Sequence, residues 1–335
     1  RRPPRRQSIA EARRGGRWQT ADFLPGYLQR LAGRVDRDRI SAARPLNIVV
    51  DSMHGCGDRL IADFLAGTPH EVSTLRWEPD PLFGGAGPEP VPVRLAGLRQ
   101  AVLDRGADLG IATDGDADRL AAVDDTGRFL SALQITPLLA DYLIRERGER
   151  GTLAKTFANT VLLDRIAAAH GLPFKVFPIG FKHLAPLLES GELLVGGEES
   201  GGIGIAGYLP ERDGILMGLM LVELTAATGR PLSGLLQALW ERYGEYHYRR
   251  MDLTVGHERG QRAVDRLLTS PPAVLAGLPV TGVADLDGIK LLLGEAGWVM
   301  VRPSGTEPVL RVYCEARTPE EVDAILGETA LLARS

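Results

Sequence analysis

The stretch that most constrains this chain is Leu109 to Leu120, LGIATDGDADRL. Asp108 to Thr113 reads as a short β-like run ending in a loop that carries Asp114, Asp116 and Asp118, with Arg119 directly behind. Alternate residues of an extended backbone point the same way, so carboxylates at i, i+2 and i+4 converge on one spot. Left alone they repel, and each disfavours its neighbour's ionised form. A hard divalent cation relieves this, and Mg²⁺ suits carboxylates together with a substrate phosphate. A solvated acidic turn is the plainer alternative, and strict alternation after an apolar strand weighs against it. An EF-hand loop also begins D-x-D-x-D, but it needs Gly at the sixth position and Glu at the twelfth. Here those positions hold Arg119 and Asp125, and a strand rather than a helix leads in.

The whole chain sets the bounds. Its 335 residues leave room for two or three domains. With 44% hydrophobic and 24% charged residues it has the composition of a soluble globular protein. A net charge of −4 gives no overall sign of nucleic-acid binding. Cys56 and Cys314 cannot make a disulfide framework, so a reducing compartment is the default and a cytoplasmic location is expected. No apolar run approaches the ~18 residues of a spanning helix, and no membrane partner is expected. The chain opens on RRPPRRQSIAEARRGGRW, seven arginines within seventeen residues. We read this as the cut end of a longer chain, in preference to a nucleic-acid arm or a tail phosphorylatable at Ser8.

Taken in order, residues 21–40 read as a helix, with Leu24, Tyr27, Leu28, Leu31 and Val35 near helical spacing. Leu46 to Asp51 suits a strand buried on both faces. A helix over Arg59 to Leu65 follows, then one bearing Leu95, Leu98 and Val102 and stopped by Gly106. The acidic-loop strand comes next, giving the order strand, helix, helix, strand. After Leu120 to Asp124, Ser131 with Gln134 forms a capping box for a helix to about Arg147. A second α/β unit has strands at Leu153–Phe157, Lys175–Ile179 and Leu193–Gly196. Its helices are Val161–His170, then Ile215–Thr228 capped by Asp213, and one opened by Ser233. The last ~85 residues read as smaller and α+β, with four strand-like runs before a helix that starts at Thr318-Pro319.

Three further loops carry polar chemistry. GEESGG at 197–202 places Glu198 and Ser200 where they suit gripping sugar hydroxyls. Gly202, Gly204 and Gly207 match G-x-G-x-x-G, but they do not directly follow a strand and Pro210 interrupts the helix a dinucleotide site requires. RPSGTEP at 302–308 offers Arg302, Ser304, Thr306 and the backbone around Gly305, with Arg311 nearby, which are good phosphate ligands. GFKH at 180–183 adds Lys182. Ser52 and His54 lack a nucleophile-elbow pattern, and His54 with Cys56 lacks further metal ligands.

In the order DGDADR, GFKH, GEESGG, RPSGTEP, these loops resemble the α-D-phosphohexomutases, the phosphoglucomutase/phosphomannomutase group. DSMHGCG, DPLFGGAGPEP and LPERDG extend the resemblance over residues 20–335. It implies two α/β domains with mixed sheets followed by a smaller α+β domain. Residues 1–40 would be the tail of a missing N-terminal domain plus linker, 41–150 the metal-loop domain, 151–245 the sugar-loop domain and 246–335 the phosphate-binding domain. It also implies that Asp114, Asp116 and Asp118 ligate Mg²⁺, Arg119 faces the phosphoryl group and Lys182 lines the cleft. Glu198 and Ser200 would hold sugar hydroxyls, and Arg302, Ser304, Gly305, Thr306 and Arg311 the non-transferred phosphate. The implied activity is intramolecular phosphoryl transfer between the 1- and 6-positions of a hexose phosphate, with glucose 1,6-bisphosphate as intermediate or activator. Two departures stand out. The family's T-A-S-H-N-P-like phosphoserine loop does not occur in this chain, so it is expected to be an inactive fragment. Relatives of dual glucose/mannose specificity end the sugar loop in His where this chain has Gly202, which favours a glucose-type enzyme. Phosphoglucosamine mutase and a non-catalytic sugar-phosphate binder are the alternatives.

Overall fold

A computed structural model of the chain describes residues 6–304 and 307–334. After α1 (Ile9–Arg14), which buries nothing, the helix expected over 21–40 is two helices, α2 (Leu24–Arg34) and α3 (Arg37–Ala42). The break falls at Val35, which is extended, because Asp36 caps α3 by accepting the Arg39 N–H. Leu31, Val35 and Ile40 are buried, so this segment is part of the core.

The first sheet is built from β1 (Asn47–Asp51), β2 (Glu71–Leu75), β3 (Leu109–Thr113), β4 (Leu120–Asp124) and β5 (Phe129–Leu130). Between its strands lie α4 (Leu60–Leu65) and α5 (Ala96–Arg105). The strand order is β2-β1-β3-β4-β5. β1 runs parallel to β2 and β3, whereas β3, β4 and β5 are antiparallel. The strand, helix, helix, strand order expected from sequence is corrected here, because β2 lies between the two helices. Its sequence EVSTL sits at the sheet edge, half exposed, and lacks the continuous apolar signature of a buried parallel strand.

The second sheet repeats this wiring. It contains β6 (Thr152–Thr156), β7 (Phe174–Phe177), β8 (Leu193–Gly197) and β9 (Ile203–Ile205) in the order β7-β6-β8-β9. Again the parallel strands come first and an antiparallel hairpin closes the sheet. Its helices are α6 (Ala132–Arg145), α7 (Leu162–His170), α8 (Ala185–Glu189) and α10 (Leu232–Tyr243), whereas α9 (Gly214–Thr228) follows β9 in the chain but packs against β3, β4, α3 and α4 of the first unit. The Ser131–Gln134 capping box opens α6, which packs on β8, α7 and α10 and also touches β4. α9 is apolar on every side because it is buried on nearly every side. Ser233 does not open α10; the helix begins behind Pro231, and the Ser233 hydroxyl donates to Asp125 at 2.9 Å.

The C-terminal unit comprises β10 (His247–Thr254), α11 (His257–Thr269), a small hairpin of β11 (Val274–Leu275) and β12 (Leu278–Pro279), then β13 (Gly282–Ala284), β14 (Ile289–Leu292), β15 (Gly297–Pro303), β16 (Val309–Ala316) and α12 (Pro319–Arg334). Its main sheet is fully antiparallel in the order β10-β16-β15-β14-β13. α11 has no side-chain cap at Gly256, but Ala263, Val264 and Leu267 recur at helical spacing and are buried against the sheet.

One continuous core joins α2, α3, the first sheet, α6, the second sheet, α9 and α10. The C-terminal unit has its own core around Leu253, Val299, Val312 and Ile325. A seam of Phe157, Trp298, Met300 and Tyr313 fastens it to the second sheet. Among the described residues no single helix is long and apolar enough to cross a membrane.

Candidate active site

Each of the first two sheets ends in a hairpin, and the two hairpin turns meet. The β3–β4 turn carries Asp114, Asp116 and Asp118; the β8–β9 turn carries Glu198 and Ser200. Arg119 pairs with Gly202 as an isolated antiparallel bridge, and the Leu120 N–H donates to Gly201 O at 3.1 Å. Backbone hydrogen bonds therefore fix the position of one loop against the other.

The three aspartates offer carboxylate oxygens that lie within 4.8 Å of one another. Asp114 is buried, Asp118 half-buried and Asp116 exposed. Burial, together with the neighbouring Asp118 and Asp116 charges, pushes the Asp114 carboxyl up to about 6, against the Arg119 N–H that donates to Oδ1 at 3.0 Å. Arg119 Nε lies 3.4 Å from Asp114 and 3.7 Å from Asp118. Asp118 Oδ1 is buried and takes no hydrogen bond from any described residue. Crowded hard oxygens with an unfilled acceptor suit a small divalent cation.

Two neighbouring segments hold this loop in shape. Ala117, at its tip, adopts φ 57°, and Met53 and His54 in the loop after β1 adopt 48° and 60°. Such left-handed residues are strained and persist only where their surroundings impose them. The imposing contacts are visible. Cys56 N–H donates to Gly115 O at 2.9 Å, and Gly214 N–H donates to Ala117 O at 2.8 Å. A Cβ at Gly214 would lie 2.5 Å from Arg119 O, so the first residue of α9 has to be glycine for the loop to rest on it. DSMHGCG, which offered no nucleophile, is a support for the acidic loop.

Arg212 is the residue sequence analysis missed. It directly precedes the α9 cap and reaches both loops, donating to Glu198 Oε2 at 2.8 Å and pairing with Asp118 Oδ2. Burial works against its charge, but the Glu198 hydrogen bond and the Asp118 charge outweigh that and raise its pKa. It also accounts for Gly202: a Cβ there would lie 2.2 Å from Arg212 Cδ, in space the arginine fills. The only sequence signal was its place in LPERDG, and nothing local shows which distant loops such a side chain will meet.

The other expected residues are placed as follows. Glu198 is buried and Ser200 exposed. Ser200 lines a cleft of about 800 Å³ together with Arg119 and Glu199, faced by Tyr248 and Arg250 of β10. That volume suits a small ligand. Asp114, Asp116 and Asp118 do not line the cleft, which starts at Arg119 and runs toward β10. Burial raises the Glu199 pKa, and Glu199 accepts from Thr156 Oγ1 at 3.1 Å. Lys182 is exposed on a 3₁₀ turn. Arg302 and Arg311 are cross-strand neighbours on β15 and β16. Arg311 pairs with Glu307 at 2.7 Å, and Arg302 with Asp287 at 2.7 Å. Ser304 is buried, and its Oγ accepts the Glu307 N–H at 3.3 Å. Gly305 and Thr306 lie outside the described residues.

Two mixed sheets joined at their hairpin turns, followed by an antiparallel sheet, define a multidomain α/β protein with a cleft of mixed polar and apolar lining. Comparison with known proteins gives the family. Residues 25–127 match phosphoglucomutase/phosphomannomutase α/β/α domain II, residues 133–243 match domain III, and residues 271–332 match the C-terminal domain. The chain belongs to the α-D-phosphohexomutase family. It is 33% identical over 306 residues to a phosphoglucomutase/phosphomannomutase of Thermococcus kodakarensis, covering 91% of this chain and 64% of that protein. It is 34% identical over 294 residues to a phosphoglucosamine mutase of Streptomyces avermitilis, covering 87% and 60% respectively. The chain thus spans less than two thirds of the length of these relatives. A solved protein of Thermus thermophilus, described as a candidate phosphomannomutase, superposes with a TM-score of 0.83 at 36% identity, covering 95% of this chain and 67% of that one. An Aspergillus fumigatus N-acetylphosphoglucosamine mutase, solved with GlcNAc-6P and magnesium, shares the fold with a TM-score of 0.62 at 17% identity, over 92% of this chain and 65% of that one.

Proposed function

We propose that this chain forms most of the cleft of a Mg²⁺-dependent phosphohexomutase and takes a hexose phosphate as substrate. The observation that carries the reading is the Arg212 bridge, which holds an acidic loop suited to a cation against a loop suited to sugar hydroxyls. Family membership and the GlcNAc-6P complex of a protein with the same fold support it.

In this reading Glu198 accepts from sugar hydroxyls and Ser200 either donates or accepts. Arg302, with its neighbour Arg311, holds the phosphate that is not transferred, and Lys182 supplies a positive charge from the exposed Gly180–His183 turn. Arg119 faces the phosphoryl in transit and offsets its charge. Mg²⁺ held by Asp114, Asp116 and Asp118 would draw negative charge from that phosphoryl group. A phosphoserine outside this chain gives its phosphoryl to the free sugar hydroxyl. The resulting bisphosphate turns end for end, and the serine takes back the other phosphoryl. A phosphate grip and a sugar grip that accept both orientations let glucose 1,6-bisphosphate serve as the intermediate. Similar identity to phosphoglucosamine mutases makes glucosamine phosphate the second substrate reading.

A coupled assay for glucose 6-phosphate from glucose 1-phosphate, with glucose 1,6-bisphosphate present, tests this. The 335-residue chain is expected to be silent, and the longer protein of which we propose it is a part is expected to turn over. Turnover by the short chain would redirect attention to Ser52 or Ser200. Silence of the longer protein with every hexose phosphate would favour a binding protein.

The metal site carries its own prediction. Between the ordinary aspartate value and about 6, the folded chain keeps a proton on Asp114 that the unfolded chain has released. Ionising Asp114 therefore lowers stability as pH rises through that window. Mg²⁺ needs the ionised form, so its affinity should fall roughly tenfold per pH unit below about 6 and level off above it. Calorimetry from about pH 5 to 8 on wild type and Asp116→Asn checks this; indistinguishable titrations would remove the site.

A further inference from the structure

Arg302 is held in place by a carboxylate that also serves a second unit. Its Nε donates to Asp287 Oδ1 at 2.7 Å, and Asp287 Oδ2 accepts the backbone N–H of Ile179 at 2.8 Å. Ile179 belongs to the second-sheet unit, immediately before the Gly180–His183 turn that carries Lys182. No second acceptor for the Ile179 N–H is found among the described residues. The Asp287 and Arg302 side chains are 19% and 25% exposed, so the pair is largely shielded from solvent. Gly288 sets the contact: at φ +85°, a Cβ there would lie 2.5 Å from Val301 O and 3.0 Å from Arg302 Cβ. Only glycine lets the turn before β14 press Asp287 against Arg302.

A guanidinium offers five N–H donors in one plane. With the Nε edge committed to Asp287, the Nη edge is left for a phosphate, which prefers a forked donor. The other oxygen of the same carboxylate is meanwhile fixed to the turn of a different unit. We infer that Asp287 is a positioning residue that couples phosphate capture at Arg302 to the placement of the Lys182 turn. This rests on the proposed function for its ligand, though not for the coupling itself. The docking of the two units does not depend on Asp287. Lys290 Nζ donates to Phe157 O across the seam, and Glu315 accepts the Val161 N–H at 2.9 Å.

Amide hydrogen exchange at Ile179 to His183 in the full 335-residue chain tests the coupling. Asp287→Asn removes the acceptor for the Ile179 N–H while still accepting from Arg302, so exchange at Ile179 should quicken about tenfold. Arg302→Lys alters no hydrogen bond to that turn, yet it should quicken exchange at Ile179 by a comparable factor, because Asp287 loses its brace. Exchange in β8 serves as the control for general loosening and should not change. Saturating inorganic phosphate should slow exchange at Ile179 to His183 in wild type and leave Asp287→Asn unaffected. Unchanged exchange at Ile179 in ligand-free Arg302→Lys would overturn the coupling. Calorimetry showing no phosphate binding by wild type would instead overturn the proposed function, and the ligand-free comparison would still decide the coupling.

Discussion

Glu223→Ala is expected to destabilise the chain by about 3–5 kcal/mol, the range for breaking a buried ion pair. Glu223 is completely buried in the apolar α9. Its carboxylate accepts from Tyr142 Oη at 2.6 Å, Arg147 Nη1 at 3.1 Å and the Asp36 N–H at 2.7 Å. Alanine would strand the Tyr142 and Asp36 donors, while Arg147 Nη1 keeps Arg34 O at 3.1 Å, and an unsatisfied buried donor bears its full desolvation cost. Arg147 is 20% exposed and keeps Glu149 at 3.1 Å, which places the loss toward the lower end. The three donors come from α6, the segment after α6 and the α2–α3 break, so the loss loosens the core that supports the acidic loop through Gly214. Thermal and urea unfolding by circular dichroism measure the effect. Glu223→Gln should lose less, because its carbonyl still accepts. A Glu223→Ala midpoint equal to wild type would mean that solvent reaches this network.

Arg302→Ala should weaken glucose 6-phosphate binding by about 10- to 150-fold, the equivalent of roughly 1.5–3 kcal/mol for a charge-assisted hydrogen bond. Arg302 is partly shielded and already oriented by Asp287, so little side-chain entropy is lost when phosphate arrives. Its exposure holds the effect below what a fully buried guanidinium would give. Arg311, opposite it in the sheet, keeps some positive potential in place. Calorimetric titration of the 335-residue chain with glucose 6-phosphate is the measurement. Glu198→Gln is the contrast: it should blunt discrimination among sugars and leave inorganic phosphate affinity alone. Unchanged affinity in Arg302→Ala would reduce the 302–308 segment to a plain turn between two strands.

Local chemistry makes much of this protein legible in its sequence. The Ser131–Gln134 capping box and the Asp213 cap each act within a few residues, and the structure realises both; the three aspartates also converge, but through a turn with Ala117 left-handed and not along an extended backbone. β2 has a weak local signal because it is a half-exposed edge strand, whereas α11 is amphipathic at helical spacing and lacks only a side-chain start signal. Motif order in the chain also pointed to the family, because each polar loop is a short, self-contained pattern.

How those loops combine is a matter of packing. The two mixed sheets share one wiring that no sequence repeat announces, since strand pairing depends on partners tens of residues apart. Their abutting turns, the Arg212 bridge to Asp118 and Glu198, and the Asp287 link between Arg302 and Ile179 are all contacts between distant segments. A long side chain on a loop can reach in many directions, and which carboxylate it meets is settled only when the core has packed. The order of residues specifies which groups are present and the local turns that display them; the packed core specifies which of them face one another.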